Sequence, residues 1–122
     1  MYSESTPERY ALAAEAIVCG AAAIFVVAYL LVALQRLAYP FDLEWMEGSM
    51  VHHVSRVLDT KPLYAPPTLD YTPFLYPPLY YYVSAAAARV TGLGFLPLRL
   101  VSFGSSLVIF WFIYRIAERE TG

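Results

Sequence analysis

The chain is short of charge and of cysteine. Of its 122 residues, 15% are charged and 59% hydrophobic, where a soluble domain carries about a quarter charged and about half apolar. That balance points to a membrane protein. Eight Lys and Arg face ten Asp and Glu, for a formal net charge of −2. No basic stripe exists to neutralise phosphates, which argues against a nucleic-acid surface. Cys19 stands alone, so no internal disulfide forms and compartment cannot be read from it. It reads as a small apolar residue in a helix. The chain also lacks an internal repeat, a low-complexity linker, a phosphate-cradling glycine loop, a nucleophile elbow and a CxxC pair. Their absence removes the usual signatures of nucleotide, serine-hydrolase and dithiol chemistry.

What is present is grease at both ends and a polar, proline- and tyrosine-rich stretch between. The first residues, Met1 to Arg9, are polar and mostly acidic, and Thr6-Pro7-Glu8 reads as a helix start. From Ala16 to Leu34 no residue is charged. Nineteen residues at helical rise cover about 28 Å, close to the hydrocarbon thickness of a bilayer. The acidic start lacks the positive region of a signal peptide, so the run reads as a transmembrane helix over 16–36. A second spanning helix is expected over 97–117, with Arg99 and Arg115 near its ends able to snorkel. Within it Ser102, Gly104, Ser105 and Ser106 make a small, weakly polar face suited to packing on another helix.

Between the spans lies 37–96. Pro40 stops the first helix, and Tyr39 and Phe41 serve as aromatic anchors. Residues 44–60 have Met46, Met50, Val54, Val57 and Leu58 on one side and Ser49, His52, Ser55, Arg56 and Asp59 on the other. This spacing predicts an amphipathic helix lying in the interface plane and ended by Lys61-Pro62. Pro62, Pro66, Pro67 and Pro73 then interleave with Tyr64, Tyr71, Phe74 and Tyr76. Such proline density predicts an extended loop packed by its own aromatics. A further helix, too short to cross, is expected over 78–91, opened by Pro77-Pro78 and capped in left-handed conformation by Gly92.

Three carboxylates, Asp42, Glu44 and Glu47, fall within six positions. On a helical wheel Glu47 lies inside the apolar arc, about 100° from Met46. Desolvation there would raise its pKa toward that of a general base. The plainer alternative is that acids favour a first helical turn for electrostatic reasons. His52 and His53 point about 100° apart on a helix and cannot easily share a metal ion. They read as part of a polar interfacial face. The tyrosines serve either as an aromatic belt or as a sugar-stacking platform.

The order of these features resembles the N-terminal end of a GT-C-type integral membrane glycosyltransferase, the group of bacterial aminoarabinose transferases and protein O-mannosyltransferases. The resemblance covers about Pro40 to Glu120. It rests on the acidic stretch Asp42–Glu47, on Pro62-Leu63-Tyr64, on Tyr76-Pro77-Pro78-Leu79-Tyr80-Tyr81-Tyr82, on Gly92, and on Leu98-Arg99-Leu100-Val101-Ser102. Three details depart from the family pattern, the first being that such enzymes have about a dozen transmembrane helices where two are expected here. Met46 stands before Glu47 where relatives often have an Asp-Glu pair. Leu75-Tyr76 replace the Glu-Lys that precedes Pro-Pro-Leu in aminoarabinose transferases, so the phosphate contact of that lysine is not carried over.

The resemblance implies an all-α membrane protein: two transmembrane helices joined by an external loop with two juxtamembrane helices, the start of a polytopic GT-C fold. It implies sugar transfer from a polyprenyl-phosphate donor at the periplasmic face of a bacterial inner membrane. Glu47 is the first candidate for the general base, with Glu44 and Asp42 beside it. Tyr76, Tyr80 and Arg99 are candidates for substrate binding. Partners implied are the lipid-linked donor, membrane lipid and further transmembrane helices. The sequence indicates no metal, and leaves cofactors unknown. The segments 1–15 and 118–122 would be cytoplasmic. The charge count opposes this, since Arg36, Arg56, Lys61, Arg89 and Arg99 on the loop side outnumber Arg9, Arg115 and Arg119. The resemblance nonetheless implies the loop outside and both flanking segments in the cytoplasm. These 122 residues alone are expected to lack activity, because the helices completing a donor pocket are not among them. The reading from another class is a small non-enzymatic adaptor, or inactive fragment, that binds a partner through the Ser102–Ser106 face.

Overall fold

The computed structural model describes residues 6–121. The acidic start of the chain, 1–5, lies outside the described residues. The described chain is all-helical: α1 Thr6–Leu37, α2 Glu47–Leu58, α3 Leu79–Thr91 and α4 Phe95–Thr121. Two of these, α1 and α4, are long and apolar enough to cross a membrane.

The first helix stands as a unit by itself. Its 32 residues give about 48 Å of length. Pro7 falls in its first turn, where a missing N–H is tolerated. Ile17, Ile24, Phe25 and Val27 along it are exposed. An apolar helix with such a surface is at home in lipid or against other membrane helices. It ends at Leu37, just ahead of the Tyr39-Pro40 pair that favours extended backbone.

The second unit runs from Leu37 onward and holds the other three helices. Its core joins Val54, Leu63, Tyr81, Ala85, Ala88 and Leu98, with Met50, Val51, Val57 and Leu58 packed against it. The apolar side of α2 is therefore turned onto protein. Its 12 residues and the 13 of α3 are too few to span.

The end of α2 was not legible as such. The helix stops at Leu58, three residues before Lys61-Pro62. Thr60 N–H donates to Val57 O at 3.1 Å, and Lys61 N–H to Arg56 O at 2.8 Å. This pair of bonds is a Schellman closure. Thr60 takes the left-handed position with φ 56°, where glycine is the usual occupant and a β-branched residue is strained. The end of α3 also differs from expectation. Gly92 has φ 87° but ψ 156°, so its backbone is extended rather than left-handed helical. Only glycine accepts that region readily.

The loop 63–78 folds on itself as its aromatics suggest. Tyr71 O–H donates to Leu63 O, and Tyr64 O–H to Tyr76 O at 2.6 Å. Arg56 lies over the Tyr71 ring at 3.8 Å and donates through Nη2 to Pro62 O at 2.8 Å.

His53 organises this packing, contrary to the polar-face reading of the histidine pair. His52 is exposed, but His53 is 2% exposed. Its ring lies between Phe74 and Tyr81, with centroids at 4.8 and 5.0 Å and planes within 20° of parallel. Phe74 N–H donates to Nε2 at 3.0 Å. The neutral ring therefore carries its proton on Nδ1 and donates it to Ser49 O at 2.7 Å. His53→Phe keeps a stacked ring but leaves the Phe74 N–H without its acceptor. Thermal unfolding in detergent is expected to show a loss of about 1–3 kcal/mol. A melting temperature equal to the parent's would show that the ring alone matters.

Candidate functional site

Arg99 and Glu47 form the site's centre. Arg99 sits in the second turn of α4, and Glu47 is the first residue of α2. Arg99 Nε–H donates to Glu47 Oε1 at 2.6 Å, and Nη2–H to Oε2 at 2.7 Å. A planar guanidinium meeting a carboxylate in this two-pronged way is a strong, directional pair. The side chains are 9% and 15% exposed. Arg99 also donates to Tyr39 O, and to Phe41 O at 2.8 Å. Leu43 N–H donates to Glu47 Oε2 at 2.8 Å. One arginine thus ties the whole segment from Tyr39 to Glu47 to the start of α4.

The sequence expectation that burial raises the Glu47 pKa is not met. The hydrogen bond from Arg99 holds its carboxyl below the ordinary 4.5, with burial opposing and the Leu43 amide and the Arg99 charge assisting. A group depressed in the folded state stabilises the fold above its unfolded pKa. That contribution fades as pH falls through the lower folded value. Melting temperature is therefore expected to hold steady above about pH 5 and to drop below about pH 4. In Glu47→Gln this portion of the acid dependence should vanish. An unchanged acid profile would remove the clamp as a contributor.

The other two carboxylates differ from Glu47. Glu44 Oε2 accepts the Met46 N–H at 3.1 Å, and Glu44 O accepts the Glu47 N–H at 3.0 Å. It closes the turn that leads into α2. Asp42 is exposed and makes no hydrogen bond or ion pair among the described residues. It lies within electrostatic reach of Arg99. A Cβ placed on Gly48 would come to 3.2 Å from Asp42 Oδ1. The bare backbone at Gly48 gives this carboxylate its room.

Tyr76 and Tyr80 line one cavity of about 400 Å³, with Met50, Pro77, Leu79 and Tyr81. Tyr76 O–H reaches Met46 Sδ at 4.0 Å, and Tyr80 O–H donates to Leu98 O at 3.3 Å. The cavity therefore borders the first turn of α2 that bears Glu47. Tyr81 is fully buried, and its hydroxyl and that of Ser84 have no hydrogen-bond partner among the described residues. Burial, with the neighbouring Tyr64, Tyr71, Tyr76 and Tyr80, pushes the Tyr81 hydroxyl up to about 12. It stays neutral near pH 7 and has no role as a base there.

No family model, curated protein or solved structure matches the chain. The arrangement therefore has to be read from its own chemistry. Among the described residues no three His, Cys, Asp or Glu side chains converge to hold a metal ion. Of the six candidates, the fold brings Glu47 and Arg99 into contact, sets Asp42 and Glu44 on the same short segment, and gathers Tyr76 and Tyr80 at one cavity. Arg99 is engaged by protein groups, which differs from its expected place on a substrate. His53 was missed as a packing centre. Its signal was faint: it falls one position before Val54, within the apolar periodicity of α2.

Proposed function

We propose that this chain serves a GT-C-type membrane glycosyltransferase, in which further helices complete the donor site. It would act at the periplasmic face of a bacterial inner membrane, with α2 and α3 as juxtamembrane helices of an external loop. The observation that supports this best is the Arg99 clamp. A part-buried ion pair fixes an acidic segment to the start of a bilayer-length helix and leaves one carboxylate of that segment, Asp42, exposed and without a hydrogen bond or ion pair among the described residues. An acidic group held at a membrane entry point suits a reaction between a lipid-borne donor and a water-borne acceptor.

In this reading Asp42 takes the place first considered for Glu47. Its carboxylate accepts the proton of an acceptor hydroxyl. The hydroxyl oxygen attacks the anomeric carbon and forms the new glycosidic bond. The bond from that carbon to the phosphate oxygen breaks, and polyprenyl phosphate leaves with the electron pair. The anomeric centre is inverted. Glu47 and Arg99 hold the loop, and Tyr76 and Tyr80 border the neighbouring cavity.

The test is a transfer assay. The chain, joined to the further helices that complete the donor site and reconstituted in vesicles, is offered a panel of radiolabelled polyprenyl-phosphate sugars, and label is followed into lipid, glycan and protein fractions. Asp42-dependent transfer from one donor supports the reading. Absence of transfer from every donor, with folding intact, favours the non-enzymatic adaptor. That second reading draws on the exposed apolar surfaces of α1 and α4. It also draws on the Ser105 and Ser106 hydroxyls, which bond back to Val101 O and Ser102 O and present little polarity to a partner helix.

A further inference from the structure

The third helix is apolar on two opposite sides. Tyr81, Ser84, Ala85 and Ala88 are buried against the rest of the second unit. Leu79, Tyr82, Val83, Ala86 and Val90 are exposed. At about 100° per residue these five fall within an arc of roughly 100°, directly opposite the buried side. Leu79 and Val90 are 71% and 88% exposed. Arg89 is the charged residue of this helix, and it stands at the margin of the exposed arc. A long side chain there can lay its stem on the apolar surface and hold its charge at headgroup level.

The second helix has the complementary design. Its apolar residues are turned to the core, and its outward positions are Gly48, Ser49 and His52, followed by Asp59. These suit water.

We infer that α3 is the element of the loop that touches the bilayer, with its Leu79–Val90 arc in the lipid interface, and that α2 rides on it as a water-facing layer. Three observations choose lipid over another occupant. Only Gly92, Leu93 and Gly94 separate α3 from α4, which leaves at most about 14 Å between the helix ends. The exposed surface continues through Leu93 and Leu96 into the apolar exterior of α4. An arc with a tyrosine and an arginine at its edge matches the pattern of interfacial helices. Whatever bathes the start of α4 bathes α3 as well. The inference rests on the membrane reading and is independent of sugar transfer.

Spin labelling tests it. Single cysteines are placed at Val83, Ala86 and Val90 on α3 and at Ser49, His52 and Asp59 on α2, in a Cys19→Ala background. The nitroxide-labelled protein is inserted in phosphatidylcholine–phosphatidylglycerol vesicles. Collision rates with oxygen, which concentrates in lipid, are compared with those of a water-soluble nickel chelate. On α3, oxygen should exceed nickel several-fold, and on α2 the order should reverse. Nickel-dominated relaxation at Val83 and Val90 would overturn the inference. So would sites on α3 that are immobile and shielded from both reagents, because the arc would then be covered by protein, either another segment or a second copy. A transfer-inactive protein with lipid-bathed α3 keeps the inference while losing the transferase, and the reverse result separates them equally.

Discussion

In the proposed transferase, with its donor site completed by further helices, Asp42→Asn is expected to lower the transfer rate by about 10²–10⁴-fold while leaving the melting temperature unchanged. The carboxylate is exposed and makes no hydrogen bond or ion pair among the described residues, so its loss breaks no bond in the fold. The amide keeps the shape and can still accept a hydrogen bond, but it cannot take the acceptor's proton. Glu47→Gln should behave in the opposite way. Both Glu47 oxygens accept hydrogen bonds from Arg99. An amide would turn an N–H toward the guanidinium donors, so the melting temperature should fall. The protein that remains folded should turn over at close to the parent rate. Measured kcat beside thermal unfolding distinguishes the two. A Glu47→Gln protein with parental stability and no transfer would return the base to Glu47. Full activity in Asp42→Asn would discard the assignment of Asp42.

Arg99→Leu should be the most destabilising single change. It leaves the Glu47 carboxylate buried without its partner and removes the donors to Tyr39 O and Phe41 O. Breaking one side of a fully buried ion pair costs about 3–5 kcal/mol, and this part-buried pair should fall below that range. The double variant Arg99→Leu/Glu47→Leu should recover much of this, because an apolar pair of similar volume avoids the desolvation penalty. Its activity should not recover with its stability, since the segment bearing Asp42 is no longer held. Arg99→Lys should rescue poorly, as a point charge cannot make the two-pronged contact. Denaturant unfolding in micelles reads the first two values. Equal stability of parent and Arg99→Leu would show that the clamp is incidental.

The long helices were legible because their signal is local. Nineteen uncharged residues from Ala16 to Leu34 need no tertiary knowledge to be read as a helix in lipid. The apolar spacing and Pro62 for α2, and Pro77-Pro78 with Gly92 for α3, placed those helices within about three residues of their observed ends, the usual scatter of boundaries. The carboxylates were found because three acids beside an apolar run stand out. Their division of labour was not legible. A helical wheel shows that Glu47 faces inward, but it cannot show that a guanidinium waits there, and that guanidinium reverses the sign of the pKa shift. Arg99 was read as a snorkelling or substrate-binding residue for the same reason, since its partner is 52 positions away. The Thr60 closure of α2 escaped because the left-handed position carries no glycine to mark it.

That separation of 52 positions also sets an order of events during synthesis. Domains take shape as the chain emerges, and a contact can form only when both partners exist. When Asp42, Glu44 and Glu47 first leave the ribosome, only their local bonds, to the Leu43 and Met46 amides, are open to them. α2 and α3 can coil beforehand, because helices form fast and locally. The acidic segment is fixed to the rest of the unit only once the first two turns of α4 are made and Arg99 closes a long loop on Glu47. Closing a loop of this length adds an entropic term that grows slowly with its size. A nascent chain arrested before residue 99 would carry α1 and all three acids, yet the acids would still lack the arginine that ties their segment to α4.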